Sequence, residues 1–275
     1  MECELSDAQD SKNRKGFTLI ELLVVISIIA LLLSILLPSL GKAKEIAKET
    51  VCLTRMKQWG LVLNLYGNEY NDKFPDYEVS GPIAGAGHWW MQSLRPYYED
   101  PEIRLCPSSK KLPGGHDLSI STNRSPDQMW AAINLYTDIE KGVFYEGQSY
   151  ILGSLGANLW MLSEHPFGNE QKFWGKQSRA TWNVPVFLDC YWVDGLPRED
   201  NLPQDDPDDL TTWDLNGHQM QRFNIDRHRG SVSASFADGA SRKIELKELW
   251  ELKWHTEWVT PRDIVWPDWM NGKGR

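Results

Sequence analysis

Residues 17–37 read FTLIELLVVISIIALLLSILL, and Glu21 is the one charge among them. A carboxylate in hydrocarbon is costly unless a cation or a donor meets it, so this acid has a task. Its natural partner is an α-amine. Directly upstream, Lys12, Arg14 and Lys15 precede Gly16. A protease cutting after Gly16 on the cytoplasmic side would leave the whole apolar segment on the product. The cut would expose a new amine at Phe17, close to Glu21. The chemistry written here is therefore cleavage of the chain itself, followed by ion pairing.

The element that must carry these residues is a helix. Twenty-one residues reach about 32 Å, roughly the hydrocarbon thickness of a bilayer. A secretory signal has a shorter apolar core and a small-residue cleavage site, and neither is present. A plain signal anchor is the alternative. Pro38 closes the apolar run inside a pattern that continues as helix, where it kinks or loosens the backbone. Lys12, Arg14 and Lys15 lie before the span and Lys42, Lys44 and Lys48 after it, so charge alone does not set the orientation.

Lys15-Gly16-Phe17-Thr18-Leu19-Ile20-Glu21 followed by the long apolar run resembles the cleavage and methylation signal of type IV prepilins and type II secretion pseudopilins. The resemblance implies cutting between Gly16 and Phe17 by prepilin peptidase and N-methylation of Phe17. It also implies that Glu21 pairs with the Phe17 amine of a neighbouring subunit. An accidental match of this motif to such an apolar run is rare.

From Gly41 to Tyr70 the pattern stays helical. Ala43, Ile46, Ala47, Val51, Met56, Leu63 and Tyr66 recur mostly every three to five residues, with charges between them, and Pro75 is expected to stop the helix. A helix from Phe17 to about Tyr70 would be about 80 Å long, so its first half must project while its second half packs. Arg55 to Leu63, with Tyr66, Tyr70 and Phe74-Pro75, also resembles the G-like pseudopilin pattern. The remainder is rich in Pro, Gly and Trp, with candidate strands at Ser149–Leu152, Pro185–Val193 and Ser231–Leu246. Asp238-Gly239 reads as a two-residue hairpin turn in the last of these. The fold class is α+β: a long protruding N-terminal helix whose second half packs on an antiparallel sheet, pilin-like, with irregular insertions. The expected divisions are a leader at 1–16, a membrane and filament-core helix at 17–37, its amphipathic continuation at 38–72 and a globular part at 73–275.

Nine residues separate His228 from Asp238-Gly239, similar to the H-x9-DG element of many prepilin-type proteins, although Ala240 stands where a second His often follows. One His and one Asp do not complete a metal shell, so the expected role is structural. With the body outside the cytoplasm, oxidation is permitted. A Cys52–Cys106 disulfide is then expected, with Cys190 buried in a strand; zinc is disfavoured because no C-x2-C spacing occurs. Asp205, Asp206, Asp208 and Asp209 form an acidic loop, read first as solvated and second as a calcium site. Trp250, Trp254 and Trp258 are four apart and predict one face of a helix over 245–258. That face is either core or an aromatic platform for sugar rings, as Trp89-Trp90 could be.

The 29 Lys+Arg against 38 Asp+Glu leave a net charge of −9, which excludes a basic nucleic-acid binder as the starting reading. Hydrophobic residues at 41% suffice for a core. No nucleophile elbow, phosphate loop or zinc-protease motif occurs, so no enzymatic role is expected. The reading is a pilin-like subunit, most similar to type II secretion pseudopilins. The resemblance implies prepilin peptidase, other pilin-like subunits and an inner-membrane assembly platform as partners. It places the chain in the inner membrane as a single-pass protein with a periplasmic body. The alternative is a membrane-tethered polysaccharide-binding protein using the same export route.

Overall fold

The computed structural model describes residues 17–75, 90–109, 130–134, 143–145, 148–162, 170–207 and 219–272. Gly16 and the rest of 1–16, Trp89, Asp208 and Asp209 lie outside them. The chain divides into two compact units, the second beginning at Glu45.

Helix α1 (Leu19–Glu69) is continuous through Pro38. In the first unit every side chain from Phe17 to Lys44 is exposed. The hydroxyls of Ser27, Ser34 and Ser39 each donate to a carbonyl three residues back, on Val24, Leu31 and Leu36. That satisfies polar groups without water, as an apolar medium requires. This helix is long and apolar enough to cross a membrane.

In the second unit α1 buries one stripe: Cys52, Met56, Trp59, Gly60, Val62, Leu63, Tyr66 and Gly67. The three- and four-residue spacing puts them on one face. Ile46 and Val51, which share the apolar period, are exposed instead. The helix ends before Pro75 acts. Asn71 and Asp72 adopt left-handed φ values of 54° and 68°, and the Asp72 N–H donates to the Gly67 carbonyl at 2.7 Å. A left-handed cap closes the helix here, because Asn and Asp tolerate that conformation.

The stripe packs beside a five-stranded sheet. In chain order the strands are β1 (Trp130–Asn134), β2 (Val143–Tyr145), β3 (Gln148–Gly153), β4 (Leu155–Asn158), β5 (Pro185–Asp189), β6 (Asp194–Gly195), β7 (Ser231–Phe236) and β8 (Ser241–Glu245). The first three form a separate antiparallel sheet, ordered β1-β3-β2. The main sheet is ordered β6-β4-β5-β7-β8, antiparallel except for the short β4–β6 pair. The long-helix, antiparallel-sheet α+β fold is the observed one. The expected strand over 185–193 ends at Asp189, where the chain bends toward β6.

Trp59 anchors helix to sheet. Its ring lies 5.0 Å from Trp90, 5.0 Å from Tyr98 and 5.3 Å from Phe187, and its indole N–H donates to the Ile103 carbonyl at 2.9 Å. The next residue, Gly60, permits close approach. A Cβ there would sit 3.1 Å from both the Gly239 carbonyl oxygen and the Ser235 hydroxyl. The adjacent Lys57 ammonium donates to that same Gly239 carbonyl at 2.6 Å.

Two local expectations are corrected. The β7–β8 turn is not a two-residue loop with both residues left-handed, since only Gly239 has positive φ, at 77°. The Gly239 N–H donates to the Phe236 carbonyl and the Phe236 N–H to the Ala240 carbonyl, which makes a three-residue loop ending in a left-handed glycine. The helix over 245–258 is absent. A 3-10 turn, Leu246–Glu251, gives way to extended backbone at Leu252, and the Lys253 N–H donates to the Asn183 carbonyl. Trp250, Trp254 and Trp258 are all buried in the core, not arrayed on a surface, and so is Trp90. The aromatic platform is therefore not formed by them.

Candidate functional site

Two places hold the chemistry. The first is the amino end of α1. The Glu21 carboxylate accepts from the Thr18 N–H at 2.9 Å and the Thr18 hydroxyl at 2.8 Å, all through Oε2. The Thr18 hydroxyl in turn accepts from the Glu21 N–H at 3.2 Å. This is a capping box, which satisfies orphan donors of the first turn reciprocally. Thr18-x-x-Glu21 is its written signature, although Thr18 was not singled out from the sequence. Among the described residues Oε1 carries no hydrogen bond, so the carboxylate retains an oxygen for a further donor. The processing residue Gly16 lies outside the described residues. Phe17 is exposed at the start of the helix.

The second place lies in the globular unit. Cys52 on α1 and Cys106 in the loop after Arg104 are joined by a disulfide, with Cα atoms 5.3 Å apart. Against it sits His228, just before β7. Its Nε2 lies 3.3 Å from the Cys106 sulfur and 3.2 Å from Oδ2 of Asp189, the last residue of β5. Asp189 is fully enclosed. Its Oδ1 accepts from Arg227 at 3.2 Å and its Oδ2 from the Ser233 N–H at 2.8 Å. Burial pushes its carboxyl pKa up, but the His228 bond, the Arg227 charge and the Ser233 N–H outweigh it and hold the group below the usual carboxylate range. Arg227 also donates to the carbonyls of Ser154 and Cys190.

His228 and Asp238 are not brought together. They flank β7 at opposite ends, and the nine-residue spacing spans that strand. Asp238 is exposed and receives the Ala240 N–H at 2.9 Å, while Gly239 meets α1. The residue that His228 does meet, Asp189, was missed. Its signal was available: a lone acid inside the apolar run VFLDCYWV, the same anomaly that drew attention to Glu21. Cys190 is buried, and burial pushes its thiol up to about 12, so it is inert. Asp205 and Asp206 are exposed. Among the described residues no third His, Cys, Asp or Glu groups with them; the cluster of such side chains able to offer several metal ligands is Cys52, Cys106, Asp189 and His228.

Comparison with known proteins bears on the first place. Residues 11–37 match the family described as the prokaryotic N-terminal methylation motif. Over 40 residues the chain is 58% identical to the type IV wide pilus major component PilA4 of Thermus thermophilus. That stretch is 14% of this chain, and the chain spans only 30% of the relative's length. No solved structure matches. The chain carries the methylation motif at its amino end and a distant, partial likeness to a type IV pilin.

Proposed function

We propose that this chain is a pilin-like structural subunit. Prepilin peptidase removes residues 1–16 by cutting between Gly16 and Phe17, and the Phe17 amine is methylated. The helix over 17–37 first holds the subunit in the inner membrane as a single span, with the globular part on the periplasmic side. An assembly platform then extracts it, and the same helices bury one another in a filament core. Glu21 of one subunit neutralises the Phe17 amine of the next and so sets the axial register. Pro38 supplies the helix with a point of give. The role is mechanical and needs no catalytic residue.

The observation that carries this reading is a single carboxylate on an otherwise apolar exposed helix, placed inside a matched methylation motif. The finer reading is a pseudopilin of a type II secretion system, supported by the resemblance of residues 55–75. A surface fibre is the neighbouring possibility, since the relative is a pilus component. The polysaccharide-binding alternative loses the support of Trp250, Trp254 and Trp258, which are enclosed.

Gly16→Ser tests the reading in the host. The variant should accumulate at full length in the membrane fraction and be missing from sheared filaments. Filaments built from uncut Gly16→Ser chains would overturn it. Deletion separates the two finer readings: cargo stranded in the periplasm marks a pseudopilin, and loss of surface fibres marks a pilin.

A further inference from the structure

The disulfide has neighbours that a disulfide does not need. A sulfur–sulfur bond is complete in itself, yet an imidazole and a carboxylate are pressed against it in the interior. Cys52 and Cys106 are each 1% exposed, Asp189 is 0% and His228 is 5%. One donor atom from each lies within 4.8 Å of all the others. Two sulfurs, an imidazole nitrogen and a carboxylate oxygen, closed off from water, are the makings of a structural tetrahedral zinc shell.

We propose that Cys52, Cys106, Asp189 and His228 form a zinc site in the chain whose cysteines are reduced, so that α1 and the loop after Arg104 are fastened by a metal before oxidation and by a disulfide after it. The spacing fits. With zinc–sulfur bonds of about 2.3 Å and zinc–nitrogen or –oxygen bonds of about 2.0–2.2 Å, neighbouring ligand atoms of a tetrahedron stand about 3.4–3.8 Å apart. His228 Nε2 is already 3.3 Å from the Cys106 sulfur and 3.2 Å from Asp189 Oδ2, so a small expansion opens the shell. The second layer is present too. Arg227 and the Ser233 N–H hold Asp189 in place, as outer partners orient ligating carboxylates.

The charges also close. In the oxidised chain the buried Asp189 carboxylate is balanced by Arg227. In the reduced chain two thiolates and a zinc ion add nothing to that balance, so neither form leaves a net charge in the core. The exchange balances chemically. The chain is synthesised with both cysteines as thiols, and zinc displaces two thiol protons on binding. Oxidation then passes two electrons from the thiolates to a disulfide-bearing oxidoreductase, which takes up two protons from water to become a dithiol, and releases the zinc ion. The donors come from α1, the loop after Arg104, the end of β5 and the segment just before β7, so no short spacing announces them.

The test uses the full chain in detergent, unfolded and refolded either oxidised or with a phosphine reductant, with zinc or cobalt supplied. The reduced chain should take up about one metal ion, and the oxidised chain none. Cobalt should show thiolate charge-transfer absorption and tetrahedral bands, unchanged in Cys190→Ala and lost in His228→Ala. X-ray absorption of the zinc form should show two sulfurs at about 2.3 Å and two lighter ligands at about 2.0–2.1 Å. This reads the shell without any variant, so a His228→Ala chain that fails to fold does not blunt the test. A reduced chain that folds without taking up metal would overturn the proposal. So would one that zinc cannot bring to a folded state, a shell of different composition, or equal uptake by the oxidised chain.

Discussion

At the scale of single residues, buried or lone charges are the informative ones. Glu21 has two uses that do not compete. The capping box ties Oε2 to Thr18 and starts the helix; the proposed intersubunit pair needs the second oxygen. Glu21→Val should therefore still be cut and methylated but enter filaments poorly. Normal incorporation of Glu21→Val, measured in sheared fractions, would remove the pairing role and leave only the cap. His255 gives a pH-dependent prediction in the globular unit. It is buried between Trp160 and Trp258, with Nε2 3.1 Å from Glu199, itself 3.7 Å from Lys172. Burial lowers its pKa from the ordinary 6.5; Glu199 and Glu257 oppose that, and Lys172 adds to it. The folded state thus prefers the neutral ring. Its stabilising effect is complete above pH 6.5 and falls as the pH drops toward the folded value, because the unfolded chain takes the proton first. Urea unfolding at stepped pH should show this decline in the parent and a flatter profile in His255→Phe. Identical profiles would show that the histidine is not the group responsible.

At the scale of elements, α1 and the sheet are held by few, large contacts. Trp59 is completely enclosed by three aromatic rings and a carbonyl acceptor, so Trp59→Ala should cost about 3–5 kcal/mol in thermal or denaturant unfolding. A loss under about 1 kcal/mol would mean the helix is held elsewhere. The elements differ in how far the residues announced them. α1 and the β7–β8 hairpin were legible because period and turn chemistry agreed over many residues. The segment 245–258 was not. Only three tryptophans carried its apparent period, and spacing four apart is equally met by a 3-10 turn followed by extended chain with every ring turned inward. The end of α1 was expected at about Tyr70 and lies at Glu69, but the cause of the stop was misread. Pro75 is the louder signal, but Asn71 and Asp72 close the helix first. The Asp189–His228 contact was out of reach because it joins segments distant in sequence, although the isolated acid itself was in plain view.

At the scale of the whole molecule, two units answer to two different media. Residues 17–44 are exposed and mostly apolar, a surface of the kind that lipid or neighbouring apolar helices cover. The unit from Glu45 onward encloses its core, fastened at Cys52–Cys106 to the helix that both units share. Under the proposed function such a chain is cut, anchored and then moved into a filament, and the cut is the step on which the rest depends. The most direct measurement is the mass of the amino-terminal peptide of the protein isolated from its host. The account predicts a peptide beginning at Phe17 and carrying one added methyl group. A peptide that retains Met1, or begins anywhere before Phe17, would contradict it.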